Sequence, residues 1–365
     1  MRQYPILVRL TIILLFMILA LYALIEAKHI LYPLALSVLF SYLLYPVVSF
    51  LEYKLRFPRI IAVVLAVIML LAVLTGAVNI FINQIQKFVQ DETIKEQAIE
   101  NFAEIQLFIE SKYKVTTDKQ NLWVTEKVKD FFETGGHIQN IIKKAAGTIE
   151  AILFIPIFTI FMLFFRNRAE KFIHKLAEKR HAALAESIIK DVSKVTMKYV
   201  TGVTIVVVIL AIVHSAALSL IGIKYAIVLG LITAACSFIP YFGTIVSGVI
   251  PVTFVLVAQS NPYLALAVAI YYIAISLIDH NILTPSIVGG QVHLNPFITI
   301  LSIIIGAAVW GIPGMIIVVP FMAVVKIICD NIESLKPFGY ILGVDKHGLS
   351  ISKIADFFLK KKEKK

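Results

Sequence analysis

AIVLGLITAACSFIPYFGTIVSGVIPVTFVLVA, residues 226–258, is the stretch whose reading decides the fold. It is apolar for 33 residues, too long for one crossing of about 30 Å of hydrocarbon, which about 20 helical residues cover. Ile239-Pro240-Tyr241-Phe242-Gly243 interrupts the run, because proline removes a backbone donor and glycine admits positive φ. The arms on either side have 13 and 15 residues, and neither spans comfortably alone. Residues 297–328 repeat the pattern, with Gly311-Ile312-Pro313-Gly314 between arms of 14 residues each. Paired short segments divided by Pro and Gly point to broken helices or re-entrant hairpins, whose freed backbone groups can bind a solute near mid-membrane. A Pro-kinked helix or two tilted short crossings are the plainer readings of the same residues.

Six further apolar runs flank these two. They are 10–25, extended to 6 if Arg9 snorkels, then 30–51, 60–82, the short 150–165, 199–221 and 263–283. The expected class is all-α: a polytopic helical membrane protein with six full spans plus two Pro/Gly-broken segments. The first run resembles a signal peptide, but no convincing small-x-small cleavage site precedes Glu26 and another span follows within five residues. Composition agrees. Hydrophobic residues make up 59% of the 365 and charged residues 16%, against roughly 45–50% and about 25% in soluble domains. With a mean hydropathy of +0.88, too few polar residues remain to cover a soluble globule.

A net charge of +11 on a soluble protein would suggest a nucleic-acid partner, so the position of the charges matters. Segment 166–198 carries nine basic residues against four acids, 52–59 is +2, Arg2 and Arg9 add +2, and 333–365 is +4. Segment 83–147 has nine lysines against ten acids and none of the seven arginines. Basic loops mark the cytoplasmic side, which places both termini, 52–59 and 166–198 inside and 83–147 outside. Reading each broken segment as a hairpin, one crossing or two gives six, eight or ten spans, all ending inside. What changes is the side on which 259–262 lies. The positive balance is thus a topology signal facing anionic lipid, and no nucleic-acid partner is expected.

The organisation that follows is three transmembrane helices in 1–82 and an extracytoplasmic amphipathic helical segment in 83–147. A fourth transmembrane helix follows in 148–165 and a basic cytoplasmic helical segment in 166–198. The transmembrane core is 199–330, with its breaks in 226–258 and 297–328, and 331–365 is a basic cytoplasmic tail. In the outer segment Ala98, Phe102, Ile105 and Ile109, and again Val124, Val128 and Phe131, keep helical spacing. In the inner one Ile188, Val192 and Val195 form a stripe running towards Tyr199, and Phe172 and Leu176 begin another.

Catalytic motifs are missing: no H-E-x-x-H, no G-x-x-x-x-G-K-[ST] loop and no G-x-S-x-G elbow. Two cysteines, Cys236 and Cys329, make neither a metal motif nor a disulfide framework. No enzyme activity, cofactor, catalytic residue or metal site is expected. Asp279-His280-Asn281 interrupts the run 263–283; ionisable groups at membrane depth are costly and usually face a polar path, and His280 can titrate near neutrality. The same trio also fits a helix end at the water interface, just before Thr284-Pro285. Gly289-Gly290 allows a hinge or a plain loop. His214, Ser215, Lys326 and Asp330 read as structural or interfacial, the last two at a spacing that allows an ion pair. The expected substrate or ion pathway is therefore lined by Asp279, His280, Asn281, Pro240, Tyr241, Gly243, Pro285, Gly289, Gly290, Pro313 and Gly314.

The chain resembles the autoinducer-2 exporter family of bacterial membrane proteins. The resemblance lies in Tyr32-Pro33, Ser41-Tyr42-Leu43-Leu44-Tyr45-Pro46-Val47-Val48, Phe57-Pro58-Arg59 and Tyr199-Val200-Thr201-Gly202. It continues in Phe238-Ile239-Pro240-Tyr241-Phe242-Gly243, Leu283-Thr284-Pro285-Ser286-Ile287-Val288-Gly289 and Leu294-Asn295-Pro296, followed by Gly311-Ile312-Pro313-Gly314. The family often has Asn where Tyr45 stands and Pro where Thr244 follows Gly243. The resemblance implies a multi-pass transporter of the bacterial cytoplasmic (inner) membrane, conventionally counted as eight spans and often a homo-oligomer. It also implies export of a small hydrophilic solute such as the quorum-sensing signal autoinducer-2, or sodium(lithium)/proton antiport, here through Asp279. The partners expected are a small-molecule or ion substrate and membrane lipid. A non-transporting membrane scaffold is the reading from a different class.

Overall fold

The computed structural model describes residues 5–93, 97, 149–176, 182–259, 261–289 and 294–344. The expected stripes of segment 83–147, Leu176 as a side chain, Gly290, and the tail beyond residue 344 lie outside the described set. Among the described residues the chain forms helices and no strand. They are α1 (Ile6–Glu26), α2 (Lys28–Ser49, continued by a π-helical turn Phe50–Lys54), α3 (Arg59–Val89), α4 (Ile149–Phe164), α5 (Arg166–Leu176) and α6 (Ala182–Ile221). Then come α7 (Ala226–Cys236), α8 (Phe242–Ala258), α9 (Pro262–Ile278, continued by a π-helical turn Asp279–Leu283), α10 (Thr284–Ile287), α11 (Pro296–Asn331) and α12 (Lys336–Leu342).

Six helical segments are long and apolar enough to cross a membrane: Leu7–Glu26, Lys28–Lys54, Arg59–Gln84, Ala182–Ile221, Pro262–Ile287 and Pro296–Asn331. Two helix ends differ from the sequence reading. Of the expected fourth span the described residues hold α4, 16 residues or about 24 Å at 1.5 Å per residue, and the stretch before it lies outside the described set. The expected division at 198/199 is not a helix end, because no Pro or Gly stands between Ala182 and Thr201 and one helix of 40 residues runs through it. For the same reason α3 continues past Ile82 to Val89.

The chain falls into two compact units, one of Met1–Arg166 with Val200–Gly289, the other of Asn167–Tyr199 with Gly290–Lys365. In the first, α2, α3 and α4 share a core of Leu44, Val48, Ala62, Val63, Ala66, Val67 and Leu163. Ser37 joins α2 to α4, its hydroxyl lying 2.6 Å from the Pro33 carbonyl and 3.0 Å from that of Ile155. At one end Arg59 donates to the Leu163 carbonyl at 3.1 Å, and Arg166 pairs with Glu52 at 2.6 Å beneath the Tyr45 ring. A second core gathers Leu218, Ile223, Leu229, Val255, Val268 and Tyr272 from α6, α7, α8 and α9. No residue in the apolar window of α1 is buried, as befits a helix facing lipid, where apolar exposure carries no penalty.

In the second unit the predicted stripe is in place: Val195 and Tyr199 are buried and Ile188 and Val192 half-buried, while Lys190, Asp191, Lys194 and Lys198 face out. Phe172, predicted to begin another stripe, is exposed. Asn295 caps α11, accepting from the Phe297 amide at 3.0 Å, and its own amide donates to the Leu342 carbonyl at 2.8 Å. Lys326 and Asp330 pair at i, i+4 as their spacing allows.

Candidate functional site

The interruption in 226–258 is a tight reversal, and α7 and α8 pack against each other across it. Ile239 donates to the Cys236 carbonyl at 3.0 Å and Phe242 to that of Pro240 at 2.7 Å. The second bond closes a γ-turn around Tyr241, held at φ 63° and ψ −50°, the rarer and more strained hand of that turn. Non-glycine residues avoid this region, and such strain persists only where the surroundings impose it. Here Gly243 imposes it: a Cβ at this position would run into the Cys236 carbonyl, with the Cα of Ser237 at 2.8 Å. Pro240 is half-buried and Tyr241 and Phe242 are exposed.

The interruption in 297–328 works by a different device. Gly311 adopts φ 64° and ψ −139°, a conformation inside α11 that is essentially reserved for glycine. Pro313 follows within the first turn of the second arm, where its missing N–H has no helical partner to lose. The arms fold back on each other: a Cβ at Gly306 would lie 2.6 Å from the Gly314 carbonyl oxygen and 3.2 Å from the Cβ of Val318. In a straight helix Gly306 and Val318 would be about 18 Å apart.

Asp279-His280-Asn281 forms most of a π-helical turn. Pro285 lacks the N–H that the Asn281 carbonyl would accept and crowds that carbonyl, and the helix widens to accommodate it. Asp279 accepts from the Thr284 hydroxyl at 2.7 Å, His280 Nδ1 lies 3.0 Å from the Ser276 carbonyl, and Asn281 donates to that of Leu277 at 2.8 Å. His280 and Asn281 are exposed, as is Pro285. Gly289, at φ 74°, ends this segment. Just before it, Val288 sits against α6 so closely that a Cβ on Gly202 would be 2.8 Å from its Cα.

Pro240, Tyr241, Gly243, Asp279, His280, Asn281, Pro285 and Gly289 thus belong to the first unit, and Pro313 and Gly314 to the second.

Sequence reasoning passed over a polar cluster in the first unit. His214 of α6 is buried, with Nδ1 2.7 Å from the Tyr271 hydroxyl. Tyr272 lies 3.0 Å from the Thr233 hydroxyl. The signal was an ionisable residue within a span; its partners were invisible because two adjacent tyrosines on α9 read as ordinary span residues. Along α6, Ser215 and Ser219 extend the polar line, and Gly230 of α7 packs directly on Ser215. Ser219 lines a cavity of about 530 Å³ with Gln84, Gly222, Lys224 and Tyr225, at the ends of two spans. The Tyr225 hydroxyl lies 2.8 Å from the Asp91 carboxylate and 3.1 Å from the Lys87 carbonyl, tying the α6–α7 turn to the end of α3. Burial, then the Asp91 hydrogen bond and charge, push its ionisation up to about 12. Both cysteines are free. Among the described residues no group of three or more His, Cys, Asp or Glu could hold a metal ion.

The sequence profile described as AI-2E family transporter matches residues 11–334. A candidate transport protein of Bacillus subtilis (strain 168), YrrI, is 25% identical over 310 residues, 82% of this chain and 86% of its own. The AI-2 transport protein TqsA of Escherichia coli (strain K12) is 26% identical over 314 residues, 84% of this chain and 87% of its own. A candidate transport protein of Borreliella burgdorferi is 25% identical over 343 residues, 90% of this chain and 89% of its own.

Proposed function

The chain belongs to the AI-2E transporter family, and from that premise we propose that it is a secondary transporter of the bacterial inner membrane exporting a small hydrophilic solute such as autoinducer-2. The observation that carries this reading is the cavity of about 530 Å³ at the ends of Arg59–Gln84 and Ala182–Ile221. Its volume falls within the range of small-molecule sites, roughly 300–1,000 Å³. It is an open depression whose lining combines the polar residues Ser219, Gln84, Tyr225 and Lys224 with the apolar Ile223, Ala226 and Ile227. The charge pattern puts this end outside, where an exported solute leaves. The helical reversals at Tyr241 and Gly311 support the same reading, since paired short segments divided by Pro and Gly are a feature of transporter pathways. Membership in the family further supports a homo-oligomer, and the lipid-facing α1 offers surface for it.

The test is efflux of autoinducer-2 from loaded proteoliposomes holding the full-length protein. Protein-dependent efflux is expected, falling at least tenfold in Ser219→Leu, which fills the cavity, at equal reconstitution. No protein-dependent efflux rejects autoinducer-2 as substrate; equal efflux from Ser219→Leu rejects the cavity. Sodium(lithium)/proton antiport through Asp279 is the second reading, favoured by the π-helical turn that begins with this carboxylate within the apolar segment Pro262–Ile287. It predicts that a sodium pulse collapses an imposed pH gradient in the wild type and fails to do so in Asp279→Asn.

A further inference from the structure

Only residues 55–58 connect the spans Lys28–Lys54 and Arg59–Gln84, so this connection lies at a membrane surface, at the level of the lipid phosphates. Lys54, Arg56, Arg59 and, from the start of α5, Arg166 stand at this end, with Glu52 among them, and all belong to the first compact unit. Arg59 uses Nη2 on the Leu163 carbonyl in the last turn of α4, and its guanidinium carbon lies 5.9 Å from the centre of the Phe164 ring. Arg166 uses Nη2 on Glu52, with its guanidinium carbon 5.1 Å from the centre of the Tyr45 ring. Each guanidinium is thus held by one oxygen and one aromatic ring. A guanidinium carries five N–H donors in a fixed fork. Arg59 Nε and Arg166 Nη1 are buried without a hydrogen-bond partner among the described residues, and so is the hydroxyl of Ser49, one turn before Glu52 on α2. Covered donors on a cation are costlier to leave unmet than neutral ones, so the two arginines call for an acceptor with several oxygens. Beside them Phe50, Tyr53, Leu55 and Phe57 are exposed, an apolar surface of the kind acyl chains cover. Cations rimmed by exposed apolar side chains match a phospholipid better than a free ion.

We propose that the α2–α3 connection and the end of α4 form a binding site for the phosphate of an anionic phospholipid, clamped by Arg59 and Arg166. The side chains of Arg166 and Glu52 are 18% and 17% exposed, so their pair opens to the surface. A phosphate oxygen entering there supplies the acceptor that Nη1 lacks as the guanidinium turns towards it, and a second oxygen of the same group meets Nε of Arg59. Arginine suits this use because its planar fork matches phosphate geometry, while Glu52 and the Leu163 carbonyl keep the two forks oriented. Lys54 and Arg56 are exposed at the rim, where they favour a headgroup of net negative charge over a zwitterionic one. The turn carrying Arg56, at φ 58°, is closed by the Phe57 amide donating to the Leu51 carbonyl at 3.0 Å. One lipid bound here ties α2, α3 and α4 together at one end, and a ligand that binds only the folded protein stabilises it. The site does not depend on what the protein transports.

The experiment titrates phosphatidylglycerol into delipidated full-length protein in detergent and reads bound lipid by native mass spectrometry, with phosphatidylcholine and inorganic phosphate as parallel arms. Phosphatidylglycerol is expected to bind at least about tenfold more tightly than phosphatidylcholine, the scale of one charge-assisted hydrogen bond. Arg59→Gln and Arg166→Gln should each lose that preference. Lys194→Gln, which removes the same charge from an exposed position on α6, should leave it unchanged. If neither arginine variant yields a monodisperse protein, Arg56→Gln on the exposed turn decides, with the preference expected to fall about threefold, as an exposed charge contributes. Equal binding of the two lipids overturns the proposal. So does a preference that survives in Arg59→Gln and Arg166→Gln or, where these do not fold, in Arg56→Gln, and so does an equal loss in Lys194→Gln. Displacement of the lipid by inorganic phosphate in millimolar excess makes this a free-phosphate site and overturns the lipid as ligand.

Discussion

Two glycines show how differently the same residue type is used. Gly243 is held against the Cys236 backbone, so a methyl group there has no flexible neighbour to displace; Gly76, on the exposed face of α3, has nothing within 4 Å of a built Cβ. Gly243→Ala is expected to cost about 1–3 kcal/mol or more through overpacking, and Gly76→Ala to be neutral or stabilising by up to about 1 kcal/mol. Thermal unfolding in detergent reads both; equal Tm values for the two variants would contradict the turn geometry. Tyr225 supplies a pH prediction. An unfolded tyrosine ionises near 10, whereas burial and Asp91 push Tyr225 up to about 12. Its contribution to stability is therefore complete below pH 10 and lost as pH rises from 10 through about 12. Tyr225→Phe should flatten the fall of Tm across that window, and Asp91→Asn should bring the Tyr225 absorbance transition at 295 nm towards pH 10. At this scale proline and glycine positions were legible in the sequence, but their partners were not. Nothing local to Gly202 announces that Val288 will rest on it, and nothing around His214 announces Tyr271.

At the scale of elements, α7 and α8 have 11 and 17 residues, or about 17 and 26 Å of helix, and both fall short of the hydrocarbon thickness. Packed on each other across a γ-turn, they form a helical hairpin. Cysteines at Lys224 and Gln259 are accordingly expected to react with a membrane-impermeant maleimide added to the same face. Labelling from opposite faces would make the segment a crossing. The hairpin possibility was readable from arm length and from Ile239 to Gly243, because a backbone in lipid must satisfy its own hydrogen bonds and only special residues allow it to turn. The joining of 182–198 to 199–221 in one helix was readable too, from the lack of any Pro or Gly; the change from polar to apolar residues marks where the chain passes from one compact unit to the other, not a helix end. Composition reports the surroundings of a helix and not its ends.

Across the whole molecule, the charge pattern predicts that cysteines at Lys54 and Arg168 are labelled only from the cytoplasmic face and one at Lys224 only from the outer face. Reaction of Lys54→Cys and Lys224→Cys from the same side would overturn the orientation. The helical membrane class, the places where long apolar runs must break and the asymmetry of charge follow from the sequence alone, since each rests on local terms: the thickness of the bilayer, the missing N–H of proline and the placement of Lys and Arg. Only the tertiary structure decided that Gly306 rests on Gly314, that Gly243 rests on the Cys236 carbonyl, and that His214 meets Tyr271. Those contacts join residues on separate helical segments. In lipid no hydrophobic preference for one apolar face over another announces which surfaces will meet, and close packing between particular small and polar side chains makes that choice.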